Sequence, residues 1–524
     1  MNKVDKKIMA VEDAVRLIKS EDTVAINGFG SLLFPEEVTS ALGKRFLETG
    51  EPKNLSYVFG AGLGEATEGR LVDGISYEGM VRRVVCSHFI KMIGLKTLAK
   101  ENKIEAYNLP YGAISHMFRA AAGRKPGVIT KLGLKTFVDP RNSRGALNDI
   151  SKDTLAELMV IDGEEYLFYK SPKIDVSIIR GTTADINGNI TFEKEAFYLD
   201  PFTTAMAAKA NGGKVIVQVE RISGTRANPR EVRIPGAIVD AIVVAPNQWQ
   251  TMIEQYNPAY TGELVVPDSQ IPAILDEVTR LSVGGGKKER TLVHKIIARR
   301  AAMELKENAV VNLGIGIPEL VPGAAKELGL SGEMDLTIEA GLVGGTPSGG
   351  LSFGAVINPE MCQDTAYQFD LYDGGVLDIT FVGAMQVDKK GNVNVSKSGG
   401  NIIGVGGFVN LTQSAKKCVF CFPFSGGGNK MEMVDGKMHI IQEGKYQKFC
   451  EKVDEISASG EYAVESGQEV LYVTERCVFK LTPEGLEITE IAPGLDIEKD
   501  IISLMPFRPL ISKDLKVMDA RFFA

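Results

Sequence analysis

The feature that most constrains the fold of this chain is an internal repeat. The segment EDTVAINGFG at residues 21–30 returns as ENAVVNLGIG at residues 307–316, so that Glu21, Gly28 and Gly30 each recur 286 positions later. In both copies an amphipathic helical pattern precedes the segment and a Pro-Glu pair follows it. A chain of 524 residues is also too long for one hydrophobic core. The sequence therefore predicts two related halves in tandem.

A second pair of segments supports the repeat. RGTTADINGNITF at 180–192 resembles GAMQVDKKGNVNV at 383–395, and each contains Asp-x-x-Gly-Asn between β-patterned arms, which is typical of a hairpin. These segments lie only 203 positions apart, so the first half is longer between its two landmarks. We place the additional residues between about 86 and 175, as helical and loop excursions.

The pattern within each half favours an α/β fold. Helical patterns alternate with short apolar runs such as TVAI, KVIVQV, AIVVA and CVFCF, which are typical of strands buried on both faces. We therefore expect two tandem, related, open α/β domains with mostly parallel sheets flanked by helices. The expected N-terminal domain spans residues 1–275 and the C-terminal domain residues 285–524, with the glycine-rich linker VGGGKKERT between them.

Several classes of function are disfavoured by composition and spacing. The net charge of -8 offers no basic surface for nucleic acid. No apolar run is long enough to span a membrane, and the six scattered cysteines suit a reducing cytoplasm. Cys418 and Cys421 form a CxxC, but in a strand they point to opposite faces, so no metal site is expected. A dinucleotide cofactor is disfavoured because Leu33 and Glu319 stand where the third glycine of the fingerprint belongs.

One carboxylate stands out. Glu339, in LTIEAGLVGG, lies between a short apolar run and a cluster of glycines. Aligned on the repeat through Leu55 and Gly60, its place in the first half is taken by Val58, a small apolar residue. A carboxylate present in only one copy indicates a site with one reactive side. The alternative is a solvated loop glutamate, because most glutamates are exposed.

Four motifs together resemble the class I coenzyme A transferases: TIEAGLVGG, the upstream VNLGIGIPE, the downstream YDGGVLD and IIGVGGFVNLTQ. The closest resemblance is to the single-chain propionate and acetate CoA-transferases, and it covers nearly the whole chain. It implies the CoA-transferase fold, with the two halves corresponding to the separate α and β subunits of other members. It also implies that Glu339 is a nucleophile that becomes a glutamyl-CoA thioester during transfer between an acyl-CoA and a free acid.

The same resemblance and the repeat suggest further site residues. Backbone N–H groups that stabilise an oxyanion or bind CoA are expected at Gly316, Ile317, Gly406 and Gly407. The substrate pocket is expected to involve Asn27, Gly28, Phe29, Tyr111 and Gly112. Tyr111 departs from the family, in which many members have a glutamine that helps to hold the substrate carboxylate, and a phenol can donate only one hydrogen bond.

The resemblance also sets expectations about partners. Acyl-CoA and short monocarboxylates such as acetate, propionate, butyrate or lactate are the expected substrates, whereas succinate is disfavoured because Glu339 lacks the Ser-Glu-Asn-Gly context of the succinate-dependent branch. No metal or other cofactor, no nucleic acid and no membrane is expected, and a homo-oligomer, for instance a tetramer, is. Two alternatives remain open: an acyl-CoA hydrolase on the same scaffold and a non-catalytic CoA-binding module.

Overall fold

The computed structural model describes residues 2–65, 69–282, 291–330 and 334–524. All but the last residue of the predicted linker VGGGKKERT lies outside these ranges. The predicted boundary at 275–285 begins inside a helix that ends at Ser282. Each half of the chain forms one large sheet, and the strands of the two sheets come from residues 23–244 and 309–517.

The first half contains twelve strands among the described residues. They are β1 Thr23–Ile26, β2 Leu55–Val58, β3 Val81–Cys86, β4 Glu105–Asn108, β5 Gly127–Thr130, β6 Ala156–Ile161, β7 Glu164–Lys170, β8 Val176–Ala184, β9 Ile190–Thr191, β10 Lys214–Ile222, β11 Val232–Ile234 and β12 Ala241–Val244. Its helices, together with the one that precedes the linker, are α1 Val11–Val15, α2 Glu36–Thr49, α3 Ile93–Lys100, α4 Tyr111–Ala122, α5 Pro201–Ala210 and α6 Ile271–Ser282. Short 3-10 turns cover Val4–Lys6, Leu71–Ile75, Gly236–Ile238 and Pro258–Tyr260.

The second half has shorter and more numerous strands. They are β13 Ala309–Leu313, β14 Met334–Ile338, β15 Leu342–Val343, β16 Thr346–Pro347, β17 Val356–Ile357, β18 Met361–Cys362, β19 Ile379–Val382, β20 Gln386–Asp388, β21 Val393–Asn394, β22 Lys397–Ser398, β23 Asn401–Ile402, β24 Lys417–Cys421, β25 Ser425–Gly426, β26 Lys430–Val434, β27 Lys437–Gln442, β28 Tyr446–Gln447, β29 Phe449–Cys450, β30 Glu469–Val473, β31 Cys477–Thr482, β32 Gly485–Ile491 and β33 Leu510–Val517. Its helices are α7 Leu292–Ala302, α8 Val321–Glu327, α9 Thr365–Asp373, α10 Phe408–Ser414, α11 Gly460–Glu465 and α12 Ile497–Asp500, with 3-10 turns at Pro318–Leu320, Gly350–Ser352, Ile502–Leu504 and Ala520–Phe523.

The two sheets share a parallel core of five strands in the same order. In the first half it runs β12-β10-β8-β1-β2, and in the second half β30-β24-β19-β13-β14. Both predicted hairpins also form, between β8 and β9 and between β20 and β21. In each turn the first aspartate, Asp185 or Asp388, accepts backbone N–H groups from the following residues. The predicted tandem repeat and fold class are confirmed.

The halves differ at one edge of the core. Beyond β2 the first sheet continues with the parallel strands β3 and β4, whereas beyond β14 the second sheet turns antiparallel into β15 and β18. The prediction that residues 86–175 are helix and loop is therefore partly wrong. This region holds α3 and α4, but also β4 and a separate antiparallel sheet, β5-β7-β6. Its strands are half exposed, so they lack the continuous apolar runs that identified the buried strands.

Helices cover both faces of each sheet, as strand alternation requires. In the first half, α1, α2 and α3 pack on one face, and α4 and α5 on the other. In the second half, α7 and α8 cover one face, and α9 and α10 the other. The layers formed by α4, α5, α9 and α10 share one apolar cluster, so the two halves meet through these helices.

A buried histidine joins the two halves at this interface. His116, on α4, places Nε2 3.1 Å from the carbonyl oxygen of Ala366 and 3.1 Å from the Asp370 carboxylate of α9. Arg119 also pairs with Asp370, at 3.0 Å. Burial opposes the imidazolium, but the hydrogen bond to Asp370 and the charge of Asp373 outweigh it and raise the pKa of His116. Protonation of the ring therefore stabilises the contact between the halves.

Replacing His116 by glutamine should reduce the pH dependence of stability. A pKa raised on folding gives stability below the unfolded pKa of about 6.5, and this stability is lost as the pH rises through the folded pKa. Between about pH 6 and pH 9 the melting temperature of the natural protein should thus fall further than that of His116→Gln. The exposed His439→Gln is the matched control and should behave like the natural protein. Equal losses in all three proteins would contradict this role for His116.

Candidate active site

Glu339 lies immediately after β14, at the carboxyl end of a strand beside the centre of the second sheet. The chain then reverses: the Gly341 N–H donates to the carbonyl oxygen of Ile338 at 3.0 Å, and β15 returns along β14. Gly341 has φ +108°, and a Cβ there would lie 2.0 Å from the carbonyl oxygen of Gln363. Only glycine fits this turn, which presents the Glu339 side chain at the end of the sheet.

The pairing of the strands changes which residue of the first half corresponds to Glu339. Val24 pairs with Tyr57 in the first half, and Val310 pairs with Asp335 in the second. Counting from these pairs, the counterpart of Glu339 is Ala61, three positions beyond Val58. The sequence alignment slipped because the glycine clusters after the two strands have different spacings. The counterpart is still a small apolar residue, so the asymmetry between the halves stands.

The Glu339 carboxyl group has one backbone donor. The Gly407 N–H donates a hydrogen bond to Oε2 at 3.1 Å. The side chain keeps some contact with solvent, whereas the carboxyl group is surrounded by protein. Burial raises the pKa of Glu339 to about 7, and the hydrogen bond from Gly407 opposes the rise. Near neutral pH the group is thus divided between the acid and the carboxylate.

The first half fixes the loop that carries Gly407. The Gly406 N–H donates to the carbonyl oxygen of Ser87 at 2.8 Å, and the Tyr111 N–H donates to the carbonyl oxygen of Gly406 at 2.9 Å. Gly406 has φ +57°, and a Cβ on Gly407 would lie 2.6 Å from the Glu339 carboxyl carbon. Of the two predicted donors, Gly407 points at Glu339. Gly406 could donate there only if its bond to Ser87 broke, so its role as a donor stays a prediction.

Gly316 and Ile317 lie in the turn after β13, beside the strand that carries Glu339. Gly316 has φ +99°, with open space where a Cβ would be, and Ile317 is buried. Within the described ranges, neither backbone N–H donates a hydrogen bond to another protein group. Their groups are thus free at the correct edge of the sheet. Contact with CoA or with an oxyanion stays a prediction for both residues.

The predicted pocket residues divide into two kinds. Phe29 and Tyr111 form an aromatic wall with the second half: ring centroids are 5.8 Å apart for Phe29 and Phe353, and 5.1 Å apart for Tyr111 and Phe369. The other three are held by internal contacts. The Asn27 side chain donates to the carbonyl oxygen of Tyr198 and accepts the N–H of Asp200. A Cβ on Gly28 would lie 2.8 Å from the Leu63 side chain, and the Gly112 N–H donates to Asn410.

Tyr111 lies within the electrostatic field of Glu339. Burial and the charges of Asp200 and Glu339 raise the pKa of Tyr111 and outweigh an opposing hydrogen bond with Thr365, so its hydroxyl remains protonated and able to donate. The ring occupies space that a side chain at position 60 would need, because a Cβ on Gly60 would lie 2.3 Å from it. Gly60 thus makes room for an aromatic residue at the site.

Several residues around the site were not predicted from the sequence. Ser87 follows β3, and the side chain of Asn312, on β13, contacts the Thr337 carbonyl and, at 3.4 Å, the Tyr372 hydroxyl. Asn410 accepts from Gly112 at 3.2 Å. Asn312 and Asn410 lie in recognised motifs, VNLGIGIPE and IIGVGGFVNLTQ, whereas Ser87 lies in none. All three act through contacts between distant segments, for which a single sequence carries no signal.

One sizeable cavity of the described chain lies away from Glu339. It has a volume of about 700 Å³ and lies in the first half, between the start of α2 at Glu36, the buried Arg180 and the exposed Trp249. None of the predicted site residues lines it. The site is therefore identified by the chemistry around Glu339 and not by the size of a cavity.

The described residues offer neither a metal site nor a membrane-spanning helix. Over the described ranges, no group of three or more His, Cys, Asp and Glu side chains could hold a metal ion. Cys418 and Cys421 belong to opposite faces of β24, where each packs in a different apolar cluster, as predicted. No helix in the described part of the chain is long and apolar enough to cross a bilayer.

Comparisons with known proteins cover the whole chain. Residues 8–245 match the sequence profile of the family described as Coenzyme A transferase. The chain is 43% identical to the caffeate CoA-transferase of Acetobacterium woodii, over 99% of this chain and 97% of that protein. It is 40% identical to the acetate CoA-transferase YdiF of Escherichia coli K12, over 98% and 95% of the two chains.

Solved structures agree with these matches. The crystal structure of the acyl-CoA transferase YdiF apoenzyme from Escherichia coli O157:H7 superposes with a TM-score of 0.90 at 38% identity, covering 99% of this chain and 96% of that one. The thioester complex of the same enzyme with CoA also gives a TM-score of 0.90, at 36% identity, covering 100% and 98% of the two chains.

The raised pKa of Glu339 predicts a pH-dependent effect of Glu339→Gln on stability. A carboxyl group whose pKa rises on folding is favourable while protonated and costs stability as the pH passes its folded pKa. Removing the charge should therefore stabilise the protein more at about pH 8 than at about pH 5, by about 2 kcal/mol for a pKa that moves from 4.5 to about 7.

The measurement is the melting temperature of Glu339→Gln minus that of the natural protein at each pH. Glu432→Gln, on the exposed strand β26, is the matched control, and its difference should not change with pH. A pH-independent difference for Glu339→Gln would show that the carboxyl group is not held in the environment described above.

Proposed function

Because the chain belongs to the coenzyme A transferase family and is a CoA-transferase, we propose that it exchanges CoA between a short-chain acyl-CoA and a free short-chain carboxylic acid through a glutamyl-CoA thioester on Glu339. The single observation that carries this mechanism is the Glu339 carboxyl group, surrounded by protein at a strand end and bound by the Gly407 N–H. A carboxylate is the side chain that can form an acyl anhydride and then become a thioester itself.

The first half-reaction has two steps. A Glu339 carboxylate oxygen attacks the thioester carbonyl carbon, the carbon–sulfur bond breaks, and CoA leaves as a thiolate from a mixed anhydride. The thiolate then attacks the Glu339 carboxyl carbon, and the donor acid leaves as its carboxylate. The glutamyl-CoA thioester remains, and an acceptor acid reverses both steps to give a new acyl-CoA. Each step forms one bond and breaks one without changing an oxidation state, so the scheme uses no cofactor.

Gly407 has a defined part in this scheme. When the thiolate attacks Glu339, negative charge develops on the carboxyl oxygen that already accepts the Gly407 N–H. A preorganised backbone donor of this kind stabilises an oxyanion by roughly 3 kcal/mol. The Gly316 and Ile317 N–H groups are further candidates, because they lie at the same edge of the sheet. They are suited to the acyl carbonyl oxygen or to CoA.

The aromatic wall supports a small acid as substrate. Phe29, Tyr111, Phe353 and Phe369 fill the space where the two halves meet beside Glu339. The Tyr111 hydroxyl, which stays protonated, can donate one hydrogen bond to the carboxylate of the acid. We therefore favour acetate, propionate, butyrate or lactate. The relatives named for caffeate and acetate are about equally similar to this chain, so identity alone does not select the acid.

Three further expectations belong to the same proposal. All six cysteines are free, which suits a cytoplasmic enzyme. A homo-oligomer, with a tetramer as one form, is proposed on the family resemblance, and light scattering of the purified protein would give the number of copies. Nucleic acid is not proposed as a partner because the chain carries a net charge of -8.

Trapping of the covalent intermediate tests the mechanism. Incubation with acetyl-CoA followed by borohydride should modify the peptide that contains Glu339 and no other, as shown by peptide mass spectrometry. Kinetics with two substrates should be ping-pong. Glu339→Ala should lose at least about 1000-fold in transfer, because no other group can carry the CoA. Full activity of this variant would refute the proposal.

Adding acetate to a propionyl-CoA reaction distinguishes transfer from hydrolysis. A transferase forms acetyl-CoA and little net thiol, whereas a hydrolase releases thiol with or without acetate. A protein that only binds CoA gives neither product. Glu432→Gln again serves as the exposed control, and it should show the same product ratio as the natural protein.

Gly407→Ala should impair transfer without unfolding the protein. The backbone at this position, φ -85° and ψ 2°, is accessible to alanine, but the added Cβ would lie 2.6 Å from the Glu339 carboxyl group. We expect a loss of kcat of roughly 100-fold, comparable to removing an oxyanion donor. Gly323→Ala, in the exposed part of α8 with open space around it, should retain activity. Equal activity of both variants would exclude this role for Gly407.

A further inference from the structure

The function of Gly407 requires that α10 begin at a fixed place. Gly407 is the N-cap of this helix, which has only seven residues, Phe408–Ser414. A helix this short gains little stability from its own backbone hydrogen bonds, so contacts with its neighbours must hold it. Asn410 lies three residues beyond Gly407 and is fully buried.

The Asn410 amide joins three helices. Its Oδ1 accepts the backbone N–H of Gly112 at 3.2 Å, at the start of α4 in the first half. Its Nδ2 donates to the two carboxylate oxygens of Asp373, at 3.0 and 3.1 Å, at the end of α9. The N–H donor on one side and the carboxylate on the other fix the orientation of the amide. Both ends of the side chain thus have partners in other elements.

Charged groups surround the Asp373 end of this contact. The His116 ring lies 4.0 Å from Asp373. His116 and Arg119 both contact Asp370, which lies one turn before Asp373 in α9. The Ser414 hydroxyl also donates to Asp373, at 3.1 Å. Burial raises the pKa of Asp373, and the hydrogen bond from Asn410 and the charge of His116 oppose the rise. Asn410 therefore stabilises a carboxylate that is largely covered by protein, with a side chain 21% exposed, and through it the docking of α10.

We infer that Asn410 is a positioning residue for CoA transfer: it fixes α10 on α4 and α9, and thereby aims the Gly407 N–H at the Glu339 carboxyl group. Gly112, the partner of Asn410, follows Tyr111, whose own N–H binds the carbonyl oxygen of Gly406. One amide thus aligns the oxyanion donor of the second half with the acid pocket of the first. The inference rests on the proposed function, because the alignment matters only if Glu339 carries the CoA.

The variant Asn410→Asp separates positioning from simple packing. It has nearly the same shape and can still accept from Gly112, but it places a second carboxylate about 3 Å from Asp373. Two carboxylates at this distance, one of them at the fully buried position 410, repel each other when both are charged, so the pair retains one proton at low pH and can then keep a hydrogen bond in place of the amide contact. As the pH rises and this proton is lost, repulsion should displace α10.

The measured quantity is the kcat of each variant divided by that of the natural protein, from about pH 5.5 to about pH 8.5. For Asn410→Asp we expect a ratio within about threefold of unity at low pH that falls by roughly 10- to 100-fold at high pH, with the KM for acyl-CoA nearly unchanged. Asn228→Asp, an exposed change beside Glu231, is the matched control and should keep a constant ratio. The double variant Asn410→Asp with Asp373→Asn restores one amide and one carboxylate, and should remove the fall.

A flat ratio for Asn410→Asp would overturn the inference. So would a folded Asn410→Asp that loses the same factor at every pH and is not rescued by the double variant, since that result indicates packing alone. If Asn410→Asp does not fold, the double variant decides: a ratio independent of pH and near unity supports the inference, and a low one contradicts it. If the natural protein forms no thioester on Glu339, the proposed function fails first, and the trapping experiment shows this separately.

Discussion

The hydrogen bond from the Gly407 N–H to the Glu339 carboxylate is the contact on which the rest of the site depends. Both residues belong to the second half, but they are fixed in different ways. Glu339 is held by β14 and by the glycine turn that follows, whereas Gly407 is held by a loop whose backbone bonds run to Ser87 and Tyr111 of the first half. The loop that carries the proposed oxyanion donor is thus held by the first half, which gives a physical reason for the two halves to stay together.

The two halves contribute different residues to the site because their sheets differ beyond the shared five-strand core. After β14 the second sheet reverses at Gly341 and ends in short antiparallel strands, which brings Glu339 to the edge of the site. After β2 the first sheet instead adds β3 and β4. Ser87 follows β3 and Tyr111 comes shortly after β4, so the two added strands deliver the residues that bind Gly406. The additional segment of the first half is thus part of the active site.

The sequence alone was sufficient for the tandem α/β plan and both hairpins, because buried strands and Asp-x-x-Gly-Asn turns leave local patterns. It also singled out Glu339 as a candidate, because the first half has no carboxylate at the corresponding place. It missed β5, β6 and β7 because half-exposed strands lack a continuous apolar run. It missed the buried β4 because its four residues include Glu105 and Asn108, which interrupt the apolar pattern. It also missed Ser87 and the partners of Asn410, since Asn410 and Gly112 are 298 positions apart and their contact exists only after folding. The sequence alignment matched Val58 to Glu339 instead of Ala61 because strand register is set by pairing across the sheet, which also exists only after folding.

The burial that raises the pKa of Glu339 to about 7 bears directly on the chemistry. In the proposed reaction this burial would cost reactivity, because only part of the protein would carry the nucleophilic carboxylate near neutral pH. The same burial would favour the products of attack, since the proposed anhydride and glutamyl thioester are neutral at this carboxyl group and need no hydration. It would also limit access of water to both intermediates. The Gly407 N–H offsets part of the free-energy cost of a buried carboxylate. Among the described residues, no cation beside Glu339 compensates for the rest. A lysine or arginine paired with Glu339 would stabilise the ground-state charge and so weaken the drive toward the neutral thioester.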